Sequence, residues 1–155
     1  MRREIRITGT GGQGVVLAGV ILGKALVKAG YHVVQTQSYG AEARGTAAES
    51  QVIYSDEPVR FPKARKCDIL IALSQDALNK FSASLKKGGI LVVDSDLVQV
   101  PEGLPAEVYS IPATREAEKL GLRVLANVIV LAYVAQKLGL VPLDELKKAI
   151  EETVP

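Results

Sequence analysis

Three glycines at positions 9, 11 and 14 stand in a G-x-G-x-x-G pattern within the run Gly9-Thr10-Gly11-Gly12-Gln13-Gly14. The run lies between a strand-like apolar segment, residues 5–8, and a long apolar helix-like segment that begins near Val15. Glycine lets backbone N–H groups come close to a diphosphate, and the N-terminus of the following helix adds partial positive charge. A dinucleotide site also wants an acidic residue about 20 residues further on, at the end of the second strand, to hold a ribose. Here that stretch reads Val34-Gln35-Thr36-Gln37-Ser38 and has no acid, which disfavours an NAD-linked dehydrogenase. The turn therefore reads as a site for another phosphate-bearing ligand or for a partner's loop, against the alternative of a tight turn needed only for packing. Gln13 places a side-chain amide at the mouth of the helix.

A second glycine-flanked loop follows the next strand: Ser38-Tyr39-Gly40-Ala41-Glu42-Ala43-Arg44-Gly45-Thr46. Glu42 and Arg44 could form a solvated local ion pair of small energetic consequence. A single arginine between glycines also suits a ligand clamp, because the guanidinium fork matches phosphate or carboxylate oxygens in pairs. In a wound α/β sheet the two loops are expected next to each other at the carboxyl end of adjacent strands, where such folds bind ligands.

Few other residues could carry chemistry. Cys67 is the only cysteine, so an internal disulfide, a cysteine-ligated iron–sulfur cluster or a multi-cysteine zinc site cannot be built from this chain alone. His32 is the only histidine and opens a strand, far from any glycine-flanked serine, so it reads as a surface or strand-edge residue. A net charge of +2, with no Lys/Arg run, argues against nucleic acid and anionic membrane as partners. The longest apolar stretch, residues 124–135, is about a dozen residues and contains Asn127, too short for a bilayer. Met1-Arg2-Arg3-Glu4 leads into a strand with no signal-peptide region, so a cytoplasmic location is expected.

The elements that must position the loops alternate along the chain. Strands are expected at residues 5–8, 33–37, 48–54, 68–73, 90–93 and 107–111, with helices at 15–29, 75–85, 115–120, 124–138 and 143–153. Gly30 and Ser74 read as helix caps, Gly88-Gly89 as a reset before the fifth strand, and residues 48–54 as a half-exposed strand. The continuous apolar run at 68–73 is that of a strand buried on both faces. With 48% hydrophobic and 23% charged residues, the expectation is one α/β domain over residues 1–155. It would be a three-layer, doubly wound, mainly parallel sheet of Rossmann or flavodoxin-like type. The first helix carries only Lys24 and Lys28 as charges and presents Gly19 and Gly23 on a close-approach stripe. Residues 124–135 are apolar almost all round. Both helices are either central core elements or are covered by another subunit.

The two loops, with Asp68–Leu78, Gly88–Asp94, Ala117–Gly121 and Asn127, resemble the gamma subunit of the 2-oxoacid:ferredoxin oxidoreductases over residues 4–150. This family includes pyruvate, 2-ketoisovalerate and 2-oxoglutarate enzymes. The wording of the second loop is most similar to the 2-oxoglutarate branch. The resemblance implies oxidative decarboxylation of a 2-oxoacid to an acyl-coenzyme A, with electrons passed to ferredoxin. It implies companion alpha, beta and often delta subunits that hold thiamine diphosphate and iron–sulfur clusters, no such cofactor being held by this chain. It further implies coenzyme A as a co-substrate near Gly9, Gly11, Gly12, Gln13, Gly14, Tyr39, Glu42, Arg44 and Gly45, no metal site, and no activity for the chain alone. The alternatives are a free-standing nucleotide- or flavin-binding domain, an architectural subunit that touches no coenzyme, and an indolepyruvate-type oxidoreductase subunit.

Overall fold

A computed structural model describes residues 1–38, 47–60 and 66–154. The elements run β1 (Arg2–Thr10), α1 (Val15–Lys28), β2 (His32–Ser38), β3 (Ala47–Ser55), β4 (Cys67–Ala72), α2 (Gln75–Phe81), β5 (Leu85–Asp94), β6 (Glu107–Ile111), α3 (Ala113–Lys119), α4 (Ala126–Leu138) and α5 (Leu143–Thr153). The strands form one six-stranded sheet in the order β2-β3-β1-β4-β5-β6. β1, β4, β5 and β6 pair in parallel, whereas β3 is antiparallel to both β1 and β2. The sheet is thus mixed, with one reversed strand in an otherwise parallel set.

That reversed strand corrects one expectation. β1 and β2 are not adjacent, because β3 lies between them. β2 pairs antiparallel with β3, the next described strand along the chain, and antiparallel neighbours need no crossover helix. β3 was expected to be half-exposed, yet it is buried along its length except for the half-buried Gln51. Its central place explains this, since Ala48, Val52 and Tyr54 join the core beneath α1 while Glu49, Ile53 and Ser55 are buried on the other face.

Alternation along the strands divides two cores. Ile5, Ile7, Ile69, Ile71 and Val92 pack with Ile21 and Leu22 of α1, Val130 and Leu131 of α4, and Leu146 of α5. On the opposite face Leu70, Ala72, Leu91 and Val93 pack with Leu78 of α2 and with Val98. α1 lies so close to β3 that a Cβ on Gly19 would come within 1.8 Å of Ser50 Oγ. The small-residue stripe of α1 is therefore answered inside the chain. α4 buries Val130, Leu131, Val134 and Ala135, and leaves Ile129 and Tyr133 half-covered.

Two caps behave as read. Gly30 (φ +100°) closes α1, with Tyr31 N–H donating to Leu26 O, and Ala77 N–H donates to Ser74 Oγ at the start of α2. Two boundaries do not. α2 gives way to a 3₁₀ turn at Ser82–Ser84, and β5 begins at Leu85, so Gly88-Gly89 falls inside the strand. A Cβ on Gly89 would lie 3.0 Å from Asp68 O, so glycine is retained there by close backbone approach.

Candidate functional site

β1 and β4 are parallel neighbours, but the helices that follow them, α1 and α2, lie on opposite faces of the sheet. The crevice between them is a topological switch point, and the first glycine loop emerges into it. Gly11–Gln13 form a 3₁₀ turn, and Gly14, at φ +69°, turns the chain into α1.

The glycines of the motif have two different reasons. A Cβ on Gly9 would lie 2.6 Å from Gln13 Oε1, and one on Gly14 would lie 2.5 Å from Asn127 Nδ2. Those two are needed by the chain's own packing. Gly11 and Gly12 are exposed, have no positive φ, and a Cβ on either would meet nothing among the described residues within 4 Å. Among the described residues nothing requires glycine at these two positions, which suits close approach by another group.

Gln13 is committed internally. Its Oε1 accepts from Thr10 N–H at 2.8 Å, and its Nε2 donates to Leu73 O at 2.7 Å. The first contact is one half of a capping box, and the second ties the loop to the end of β4. On the far side, Asn127 Nδ2 donates to Gly14 O at 3.1 Å and fixes the start of α4 against the start of α1.

A cavity of about 330 Å³ opens at this end of the sheet, between Thr10 and Gly12, Asp94 and Thr114, and Arg123 and Asn127. Asp94, 1% exposed at the end of β5, accepts from the N–H groups of Asp96 and Thr114 and from the Thr114 hydroxyl. Its carboxylate thereby pins the start of α3 beside the cavity. The first turn of α1 contains no acidic residue to neutralise its positive end. Arg123, solvent-exposed, stands 3.9 Å from Glu118, a weak surface pair that leaves its guanidinium usable. Hydroxyls, backbone amides and one guanidinium around an open crevice can hold an anionic, phosphate-bearing group.

Sequence reading did not find Arg123, Asp94 or Thr114, since they reach the crevice from the far half of the chain. The signal available was the rule that strand carboxyl ends line such sites, which marks Asp94 directly. Tyr39, Glu42, Arg44 and Gly45 lie outside the described residues. Their described neighbours Ser38 and Ala47 pair with Glu49 and Thr10, at the same end of the sheet as the glycine loop. The adjacency of β1 and β2 on which the expected nearness of the two loops was based is absent, since β3 lies between them. Among the described residues no cluster of His, Cys, Asp or Glu could hold a metal, and no helix is long and apolar enough to cross a membrane.

An open α/β sheet with a glycine turn at its switch point places the chain in the doubly wound α/β class. Within that class the chain belongs to the pyruvate ferredoxin/flavodoxin oxidoreductase family, whose model matches residues 4–155. It is 47% identical to the 2-oxoglutarate synthase subunit KorC of Methanocaldococcus jannaschii, across 100% of this chain and 85% of that one. It is 35% identical to the ketoisovalerate oxidoreductase subunit VorA of Methanothermobacter thermautotrophicus, across 97% of this chain but only 31% of VorA. The crystal structure of the keto/oxoacid ferredoxin oxidoreductase gamma subunit of Geobacter sulfurreducens superposes with a TM-score of 0.86 at 42% identity, covering 99% of this chain and 87% of that one. The 2-oxoglutarate:ferredoxin oxidoreductase of Magnetococcus marinus, with 2-oxoglutarate, coenzyme A and succinyl-CoA bound, contains the same fold. Its TM-score is 0.88 at 23% identity, over 97% of this chain and 27% of that one.

Proposed function

We propose that this chain is the gamma-type subunit of a 2-oxoglutarate:ferredoxin oxidoreductase, which converts the 2-oxoacid and coenzyme A to an acyl-coenzyme A, carbon dioxide and reduced ferredoxin. The observation that carries the reading is the 47% identity to KorC, sustained along the whole chain. Companion alpha and beta subunits, with a delta subunit in some assemblies, hold thiamine diphosphate and the iron–sulfur clusters. A chain with one cysteine, itself buried, could not ligate a cluster unaided. The cytoplasm is the compartment that suits such ferredoxin chemistry.

In this reading the glycine loop faces coenzyme A. Gly11 and Gly12 let the ligand approach the backbone, Gly9 and Gly14 shape the turn, and Gln13 holds it to β4. Coenzyme A carries a diphosphate and a 3′-phosphate, which suit the backbone amides, the positive end of α1 and the guanidinium of Arg123. Tyr39, Glu42, Arg44 and Gly45 complete the binding set, with Arg44 on a phosphate.

The test is steady-state kinetics of the reconstituted enzyme carrying Gly12→Leu or Arg44→Ala. Loss of a hydrogen bond to a charged group predicts an apparent KM for coenzyme A raised about 10- to 100-fold. Reduction of the enzyme by 2-oxoglutarate before coenzyme A enters should be unchanged. An unaltered KM for coenzyme A in both variants would remove this role and favour a purely architectural subunit.

A further inference from the structure

The amino ends of β1, β4 and β5 meet the carboxyl end of β3 at the end of the sheet opposite the glycine loop. Three adjoining hollows of about 670, 110 and 400 Å³ cross this end and share their walls. Arg2 lines the first and second, and Lys66 and Lys86 line the second and third. With Arg60 in the first and Lys87 in the third, five cationic side chains follow one another along the surface. The carboxylates in these walls are Glu4, Glu57 and Asp68. Glu4 is buried and 3.3 Å from Arg6, while Asp68 receives Lys86 Nζ at 2.9 Å and the Glu4 N–H at 2.8 Å. The Met1 ammonium, at the same end, is answered by Asp56 at 2.9 Å. Glu57 is then the one acid set against Arg60, Lys66 and Lys87, which are exposed and have no ion-pair partner among the described residues. The whole chain carries only +2, so this is a local concentration of charge, not general basicity.

We propose that this cationic end of the sheet is the landing surface for the electron acceptor, a small acidic iron–sulfur protein. The assignment rests on the reading of the chain as a subunit of a ferredoxin-reducing enzyme. Charge is the first reason for this occupant. An iron–sulfur cluster held by cysteine thiolates is anionic, and an acidic protein around it complements the row from Arg60 to Lys87. The second reason is the kind of surface. Lysine ends in a strongly hydrated point charge on a flexible stem, and it is depleted from the desolvated centres of interfaces. Exposed lysines around shallow hollows suit a partner that must arrive and leave in every turnover, as weak electron-transfer encounters require. Position is the third. The row lies at the opposite end of the sheet from the glycine loop, so the acceptor does not compete with a ligand at the switch point. This chain supplies attraction and orientation alone, and the electron comes from a companion chain.

The test is steady-state reduction of ferredoxin by the assembled enzyme carrying Arg60→Glu/Lys66→Glu/Lys87→Glu. The control, Lys137→Glu/Lys147→Glu/Lys148→Glu, makes the same change of net charge on α4 and α5, which line none of the three hollows. The first variant should raise the apparent KM for ferredoxin about 10- to 100-fold at low salt, as expected when electrostatic steering is reversed. The difference should narrow at about 0.3 M salt, where screening is stronger. Oxidation of 2-oxoglutarate with a viologen dye as acceptor should be unchanged, and the control should keep the wild-type KM for ferredoxin. In the wild-type enzyme Lys66 and Lys87 should react with an amine-acylating reagent and be protected by added ferredoxin. An unchanged KM for ferredoxin, an equal rise in the control, or an equal loss with the dye would each overturn the surface. So would lysines already shielded before ferredoxin is added, since a companion subunit would then cover them. Each of these outcomes leaves the subunit reading standing. An assembly that reduces no ferredoxin with any 2-oxoacid would overturn that reading and the surface together.

Discussion

The amide of Gln13 spans the switch point, donating from Nε2 to the carbonyl of Leu73 at 2.7 Å while its Oε1 receives the Thr10 N–H at 2.8 Å. One side chain thus fastens the glycine loop to the end of β4. Gln13→Ala should lower the stability of the isolated chain by about 1–2 kcal/mol, the usual cost of leaving partly buried partners unsatisfied. Gln13→Glu keeps an acceptor for Thr10 but sets an anion against the Leu73 carbonyl. It should be destabilised at neutral pH and recover in part on acidification, when the protonated carboxyl can donate. Urea unfolding at two pH values checks both.

The division of the motif glycines makes a second prediction. Gly9→Ala and Gly14→Ala should each cost about 1–3 kcal/mol, from the contacts at 2.6 and 2.5 Å and, for Gly14, from φ +69°. Gly11→Ala and Gly12→Ala should leave stability within about 0.5 kcal/mol of wild type, as at open surface positions. Thermal melts of the four variants separate the two classes. Equal losses at all four positions would show that the whole run serves packing.

Gly19→Ala tests how closely α1 rides on β3. The added methyl would meet Ser50 Oγ at 1.8 Å and Gln35 Nε2 at 2.8 Å, and these neighbours must move. A loss of about 1–3 kcal/mol is expected from overpacking, partly restored by adding Ser50→Ala. Chemical denaturation of the single and double variants measures the coupling.

Cys67 supplies a pH prediction. Burial pushes its thiol from an ordinary value near 9.0 up to about 11. The folded chain therefore holds this proton more tightly than the unfolded chain, and the associated stability is complete below pH 9 and lost as pH rises towards 11. Wild type should lose more stability between pH 9 and 11 than Cys67→Ala does. The native thiol should also resist maleimide at pH 8 and react only when the chain is unfolded.

Much of this architecture is legible in the amino-acid sequence. The apolar runs of β4 and β5 announced buried parallel strands, and Gly30 and Ser74 marked caps through purely local chemistry. β3 reads as half-exposed because Ser50 and Gln51 put a polar side chain on each face among apolar residues. Burial of Glu49 and Ser50 is decided by what tertiary structure lays over them. The glycine loop was legible for the same reason as the caps, since its residues act within one turn. Asp94, Thr114 and Arg123 were not, because only the meeting of β5, α3 and α4 brings them to the crevice. Nor could spacing tell that Gly9 and Gly14 serve packing while Gly11 and Gly12 face outward.

The most direct test of the central claim is to isolate this chain from its native source with everything bound to it and assay the product for coenzyme A-dependent oxidation of 2-oxoglutarate, with ferredoxin as electron acceptor. The account predicts recovery of companion chains bearing thiamine diphosphate and iron–sulfur clusters, with activity on 2-oxoglutarate exceeding that on pyruvate or 2-ketoisovalerate. Recovery of the chain alone, carrying a nucleotide or flavin and without oxidoreductase activity, would contradict it.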